Sequence, residues 1–125
     1  MSTGTVPEIR ESDMAKAVAE FNSGRYFECH DTLEALWHGM RGEARDAMKG
    51  LIQVAVGFYH LRAGNARGAE SQLGKALGNL DASAAIPVDL ATLRDGVAEI
   101  LALLDRDPGA AMAAPLPSLA AHRAH

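Results

Sequence analysis

The sequence predicts an all-α protein of about five helices in antiparallel hairpins, a tetratricopeptide-like stacked arrangement. Three observations carry this. Apolar residues recur at helical rather than alternating spacing through most of the chain. Only 5% of the residues are aromatic against 48% hydrophobic, so the core rests on Leu, Ile, Val, Ala and Met, which suits helix-on-helix packing. A faint repeat of forty residues sets Phe21, Gly24, Cys29, Leu33 and Trp37 against Leu61, Gly64, Ala69, Leu73 and Leu77. Each copy reads as a helix end, a glycine turn and a new helix.

The chain has 125 residues, enough for one domain and its own core. Residues 1–106 are expected to form that domain, and 107–125, rich in Pro and Ala, a loosely ordered tail with solvated His122 and His125. The first helix is expected from Pro7 and Glu8, with Thr5 or Val6 near its cap. Its apolar stripe is Ala15, Val18, Ala19 and Phe21, and Asn22-Ser23-Gly24 stops it.

Residues 25–40 form the second helix. At about 100° per residue, Tyr26, Cys29, Leu33, Leu36, Trp37 and Met40 fall within roughly 60° of one direction, its buried face. The third, 43–63, is apolar around nearly all its circumference and should be central. Its polar residues Asp46, Lys49, Gln53 and His60 share one narrow stripe with Gly57, while Gly50 and Gly57 suit close helix approach. Gly64-Asn65 caps it. Residues 66–80 and 89–105 give the fourth and fifth helices, joined by a loop through Ile86-Pro87.

Net charge is −4, from 12 Lys+Arg and 16 Asp+Glu, without a block of one sign. No basic stripe is present for phosphate neutralisation, so no nucleic-acid partner is expected. The start of the chain shows no signal-like segment and no apolar run is long enough for a bilayer, so no membrane partner and a cytoplasmic location are expected. Cys29, the one cysteine, lies on a buried face and reads as a small core residue.

Chemistry concentrates on the second helix. His30 lies about 60° from the apolar centre and Glu34 about 100°, with Trp37 beside them and Phe27, Asp31 and His38 alongside. A His–Glu pair at i,i+4 is often a surface pair, yet a half-buried imidazole needs a partner for each nitrogen. Gln53 and His60 of the third helix could converge on it, or mark a solvated edge. The leading expectation is an interaction or small-ligand-binding module with a polar pocket between helices two and three, lined by His30, Glu34, Gln53, His60, Trp37 and Asn65. The competing one is a metal-dependent, hydrolase-like enzyme holding a divalent metal on His30, Glu34 and His60, although the denser H-E-x-x-H spacing is absent. Glu34 orienting His30 as a general base is a further reading, without a matching nucleophile. In a third, the constellation only locks the hairpin. An apolar central helix in so small a chain also predicts a protein partner or a homodimer.

Three ordered motifs carry a family resemblance: F-N-S-G-R-Y-F-E-C-H-D-T-L-E-A-L-W from Phe21 to Trp37, K-G-L-I-Q-V-A-V-G-F-Y-H-L from Lys49 to Leu61, and G-N-A-R-G-A from Gly64 to Ala69. Together they resemble the bacterial and archaeal domain-of-unknown-function family 309, over roughly residues 15–105. The resemblance implies a compact helical domain without an established activity. It marks Phe21, Asn22, His30, Glu34, Trp37, Gly50, Gln53, His60, Asn65 and Gly68. Asp31 and Lys49 depart from the Glu and Gln more usual in the family, and His38 lies outside its pattern.

Overall fold

Two three-residue turns organise the molecule, and both are built the same way. The computed structural model describes residues 9–80 and 85–120. In it α1 (Glu11–Asn22) turns into α2 (Tyr26–Trp37), and α3 (Gly42–Arg62) turns into α4 (Ala66–Asn79). At the first turn the N–H of Arg25 donates to the Glu20 carbonyl (2.9 Å) and that of Gly24 to Phe21 (3.1 Å). At the second, Asn65 donates to His60 (2.8 Å) and Gly64 to Leu61 (3.2 Å). Both are Schellman ends, whose turning residue must sit in the left-handed region. Gly24 (φ 77°) and Gly64 (φ 81°) do so. Glycine pays no Cβ penalty there. The forty-residue repeat is thus a repeat of structure. Cys29 and Ala69, like Leu33 and Leu73, are equivalent and fully buried.

α3 is the element the others surround, packing on α2, α4 and α6. Ala47, Met48, Leu51, Val54, Ala55, Phe58 and Leu61 are buried along it. Phe21, Tyr26 and Phe58 bring α1, α2 and α3 together. The Phe21 ring centroid stands 5.4 Å from that of Tyr26 and 5.8 Å from that of Phe58, and the Tyr26 and Phe58 centroids are 5.5 Å apart. All three contacts are edge-on or tilted, as ring quadrupoles prefer. Gly57 lies under Leu73 of α4, and Gly50 under Asn79 and Leu80. α5 (Leu90–Arg106) starts at Asp89 and packs on α4. The Asp89 carboxylate caps it, accepting from the N–H and hydroxyl of Thr92 (3.1 and 2.7 Å). No helix among the described residues is long and apolar enough to cross a membrane.

Four expectations are corrected. α1 starts at Glu11, because the Asp13 carboxylate accepts from the N–H of Arg10 (3.0 Å) and Arg10 is extended; Thr5 to Glu8 lie outside the described residues. The buried face of α1 is Met14, Ala17, Glu20 and Phe21, whereas Ala15 and Ala19 are not buried. α2 ends at Trp37, although Met40 beyond it is buried. Residues 107–120 are not a loose tail. Asp107 caps a short α6 (Pro108–Ala113), and the segment after it folds back until Leu119 is buried. His122 and His125 lie outside the described residues.

Candidate functional site

A cleft of about 200 Å³ opens between α2 and α3, lined by Tyr26, Phe27, His30, Val56, Tyr59 and His60. Both helices contribute through turn spacing: Tyr26 and Phe27 lie four and three residues before His30, and Val56, Tyr59 and His60 follow the i, i+3, i+4 pattern. Such residues share one side of a helix. Antiparallel packing of α2 on α3 sets the two faces against each other. Phe27 (54% exposed) and Tyr59 (44%) are the large hydrophobics that stay in solvent among the described residues, and their rings stand 5.6 Å apart.

His30 sits at the mouth with a quarter of its side chain exposed. Its Nε2 lies 3.7 Å from the Glu34 carboxylate and its Nδ1 3.3 Å from that of Asp31. Neither contact has hydrogen-bond geometry, and Nδ1 is buried without a hydrogen-bond partner among the described residues. Glu34 itself is half exposed at the rim.

His60 is held from behind. The Asn65 Nδ2 faces its Nδ1 at 3.3 Å, while the Asn65 Oδ1 accepts from the N–H of Gly68 (2.9 Å). One side chain therefore caps α4 and orients the imidazole. Because an amide nitrogen can only donate, Nδ1 is the acceptor, and the neutral ring carries its proton on Nε2. Gly68 leaves room for both groups: a Cβ there would meet Asn65 Nδ2 at 2.6 Å and His60 Cδ2 at 2.9 Å.

The structure brings His30 and His60 into one cleft, with Glu34 at its edge and Asn65 behind. It separates Gln53 and Trp37 from them. The polar stripe of α3 runs along the α4 interface, so Gln53 Oε1 accepts from Asn79 Nδ2 (2.8 Å). Trp37 lies near the α2–α3 turn, where the Arg45 guanidinium stands 3.8 Å from its ring centroid. This is a cation–π contact. Arg45 Nη1 also donates to the carbonyls of Trp37 (3.3 Å) and Met40 (3.2 Å).

Among the described residues no group of three or more His, Cys, Asp or Glu side chains is close enough together to hold a metal ion. His30, Glu34 and His60 thus do not form a ligand set. Cys29 donates to the Ala17 carbonyl (3.4 Å). Burial, then the Glu20 charge, push its thiol up to about 12, which leaves it no nucleophile. The cleft offers aromatic contact and two imidazoles that can each exchange a hydrogen bond.

Val56 and Tyr59 escaped the sequence reading as site residues because apolar side chains on a helix apolar all round read as core, and Tyr26 because it lies on the buried face of α2. The signal was present in V-x-x-Y-H, which puts an aromatic ring and an imidazole on the face that meets α2.

A second polar cluster joins α1 to α2. Glu20, almost fully buried, accepts from Thr32 Oγ1 (2.7 Å) and Lys16 Nζ (3.1 Å). Burial alone would raise its pKa. The hydrogen bonds from Thr32 and Lys16, with the charges of Lys16 and Arg25, outweigh burial and hold it below the ordinary carboxylate range.

Residues 14–72 match the model of a family described as a domain of unknown function, DUF309. The matched stretch holds every residue lining the cleft and ends within α4, short of the extent to residue 105 that the motifs suggested. A search of curated proteins finds no match.

Proposed function

We propose that this chain, whose residues 14–72 match the DUF309 model, is a protein-interaction module whose α2–α3 cleft receives one apolar side chain of a partner. The observation that carries this reading is the pairing of Phe27 and Tyr59, each about half exposed and both walls of the same cleft. Leaving about half of each ring in water forgoes roughly 1 kcal/mol of burial apiece, and such rings are enriched where binding energy concentrates. At about 200 Å³ the cleft matches a single Leu or Phe side chain. Usual small-molecule sites are larger, roughly 300–1,000 Å³. His30 and His60 would supply hydrogen bonds to the backbone flanking that side chain. The dispersed charge of the chain fits a protein partner better than a nucleic acid. A second copy meeting the same cleft is the homodimeric form of the reading.

The test is an amide NMR titration of the whole protein with N-acetyl-leucine amide and N-acetyl-phenylalanine amide. Shifts should cluster on Phe27, His30, Tyr59 and His60 and vanish in Phe27→Ala and Tyr59→Ala. Both positions are exposed, so the fold should survive each change. Shifts scattered over the surface, or unchanged in the variants, would refute the assignment.

A further inference from the structure

The ends of α1 and α3 do more than turn the chain. Asn22 and Arg62 are the last residues of the two helices and stand forty positions apart, equivalent in the repeat. Both spend their side chains on the backbone of one segment. Asn22 Nδ2 donates to the Leu119 carbonyl (2.9 Å) and its Oδ1 accepts from the Leu119 N–H (2.7 Å). Arg62 donates to the carbonyls of Met112 (2.6 Å) and Ala114 (2.9 Å). A carboxamide that satisfies both backbone groups of one residue replaces a strand partner, and it selects an extended chain whatever its side chains.

Side-chain selection comes from two further contacts. Leu119 is 2% exposed. Pro117 lies on Gly96 of α5 so closely that a Cβ there would stand 2.7 Å from its Cγ. Ala120 completes the seating, its carbonyl accepting from the Asp89 N–H (2.8 Å). The segment reads Ala-Pro-Leu-Pro-Ser-Leu-Ala from Ala114 to Ala120. Its prolines fix two φ angles in advance and lower the entropy lost on docking. Asn22 and Arg62 lie inside the matched family stretch, and the segment they hold lies outside it.

We infer that the ends of α1 and α3, with Gly96, form a peptide seat for an extended Pro-x-Leu segment of another protein, and that residues 114–120 occupy it as an intramolecular ligand. The seat is separate from the α2–α3 cleft and does not depend on what that cleft binds. Release of the chain's own segment exposes the seat to a partner of the same chemistry.

The probe is a fluorescein-labelled, amidated synthetic peptide of residues 112–120, followed by anisotropy against the full chain. Wild type, its seat filled, should bind weakly. Leu119→Asp, which expels its own segment, should bind at least about tenfold more tightly, the equivalent of ~1.4 kcal/mol. Adding Asn22→Ala to that variant should return the affinity to the wild-type level. A Leu119→Asp chain that keeps its helical circular dichroism yet fails to gain affinity would overturn the inference. Should that variant not fold, amide hydrogen exchange of wild type decides. Leu119 exchanging well before the core amides of α3 supports a segment that lifts, whereas exchange only with global unfolding overturns it. A wild-type dimer that Leu119→Asp turns into monomer would make the occupant a second copy and overturn the assignment to another protein.

Discussion

Gly57→Ala should destabilise the protein although it adds a better helix former. In an open helix position that change gains about 0.8–1 kcal/mol. At Gly57 the new Cβ would stand 2.6 Å from Leu73 Cδ2 and 2.7 Å from Cγ. Leu73 is fully buried and cannot swing outward, so α3 and α4 must separate or Leu73 must leave its rotamer. Overpacking of this kind costs roughly 1–3 kcal/mol, which leaves a net loss of about 1 kcal/mol. For a domain of this size the midpoint of thermal unfolding should fall by about 3–6 °C. The control is Gly74→Ala, on α4, where a Cβ meets nothing within 4 Å. It should gain about 0.5–1 kcal/mol. Differential scanning calorimetry of both variants gives the comparison. If Gly57→Ala stabilises as much as Gly74→Ala, the close α3–α4 approach is not what excludes a side chain at this position.

Substitutions at two other positions separate the roles of single polar groups. Glu20 has a lowered pKa in the folded protein, so its contribution is full above the unfolded glutamate value and is lost as pH falls through the folded one. Glu20→Gln should therefore flatten the acid limb of the stability–pH curve below about pH 4, and equal slopes would contradict the Thr32–Lys16 account. Asn65→Asp keeps an oxygen to cap Gly68 but loses the amide donor to His60. It should leave the thermal midpoint nearly unchanged, whereas Asn65→Ala should cost about 1 kcal/mol through the lost cap, and calorimetry of the two variants separates them.

The parts of the fold written in local chemistry were legible beforehand. Glycine turns at Gly24 and Gly64, the all-round apolar α3 and the small residues facing α4 each have a physical signature within a few positions. The start of α1 was misplaced because Pro7 and Glu8 are as good a helix opening as Asp13 reaching back to Arg10. The segment after α6 was misread because its anchors are distant: nothing near Leu119 in sequence announces Asn22. At the site, location was legible and composition was not. His30 and His60 both line the cleft between α2 and α3, one of two arrangements their periodicity left open, while the rotation of α3 turns Gln53 toward Asn79 on α4. A helical stripe is wide enough to serve two neighbours, and only packing decides how it is divided.

The bond between Asn22 and Leu119 joins residues 97 apart, whereas each hairpin closes over a three-residue turn. Short loops cost little entropy to close and long ones more, so the hairpins should assemble early and independently and the strap last. During synthesis α1 to α4 can fold before residues 114–120 leave the ribosome. For that interval the side chains of Asn22 and Arg62 face water, and the segment that later occupies them closes over a scaffold already folded.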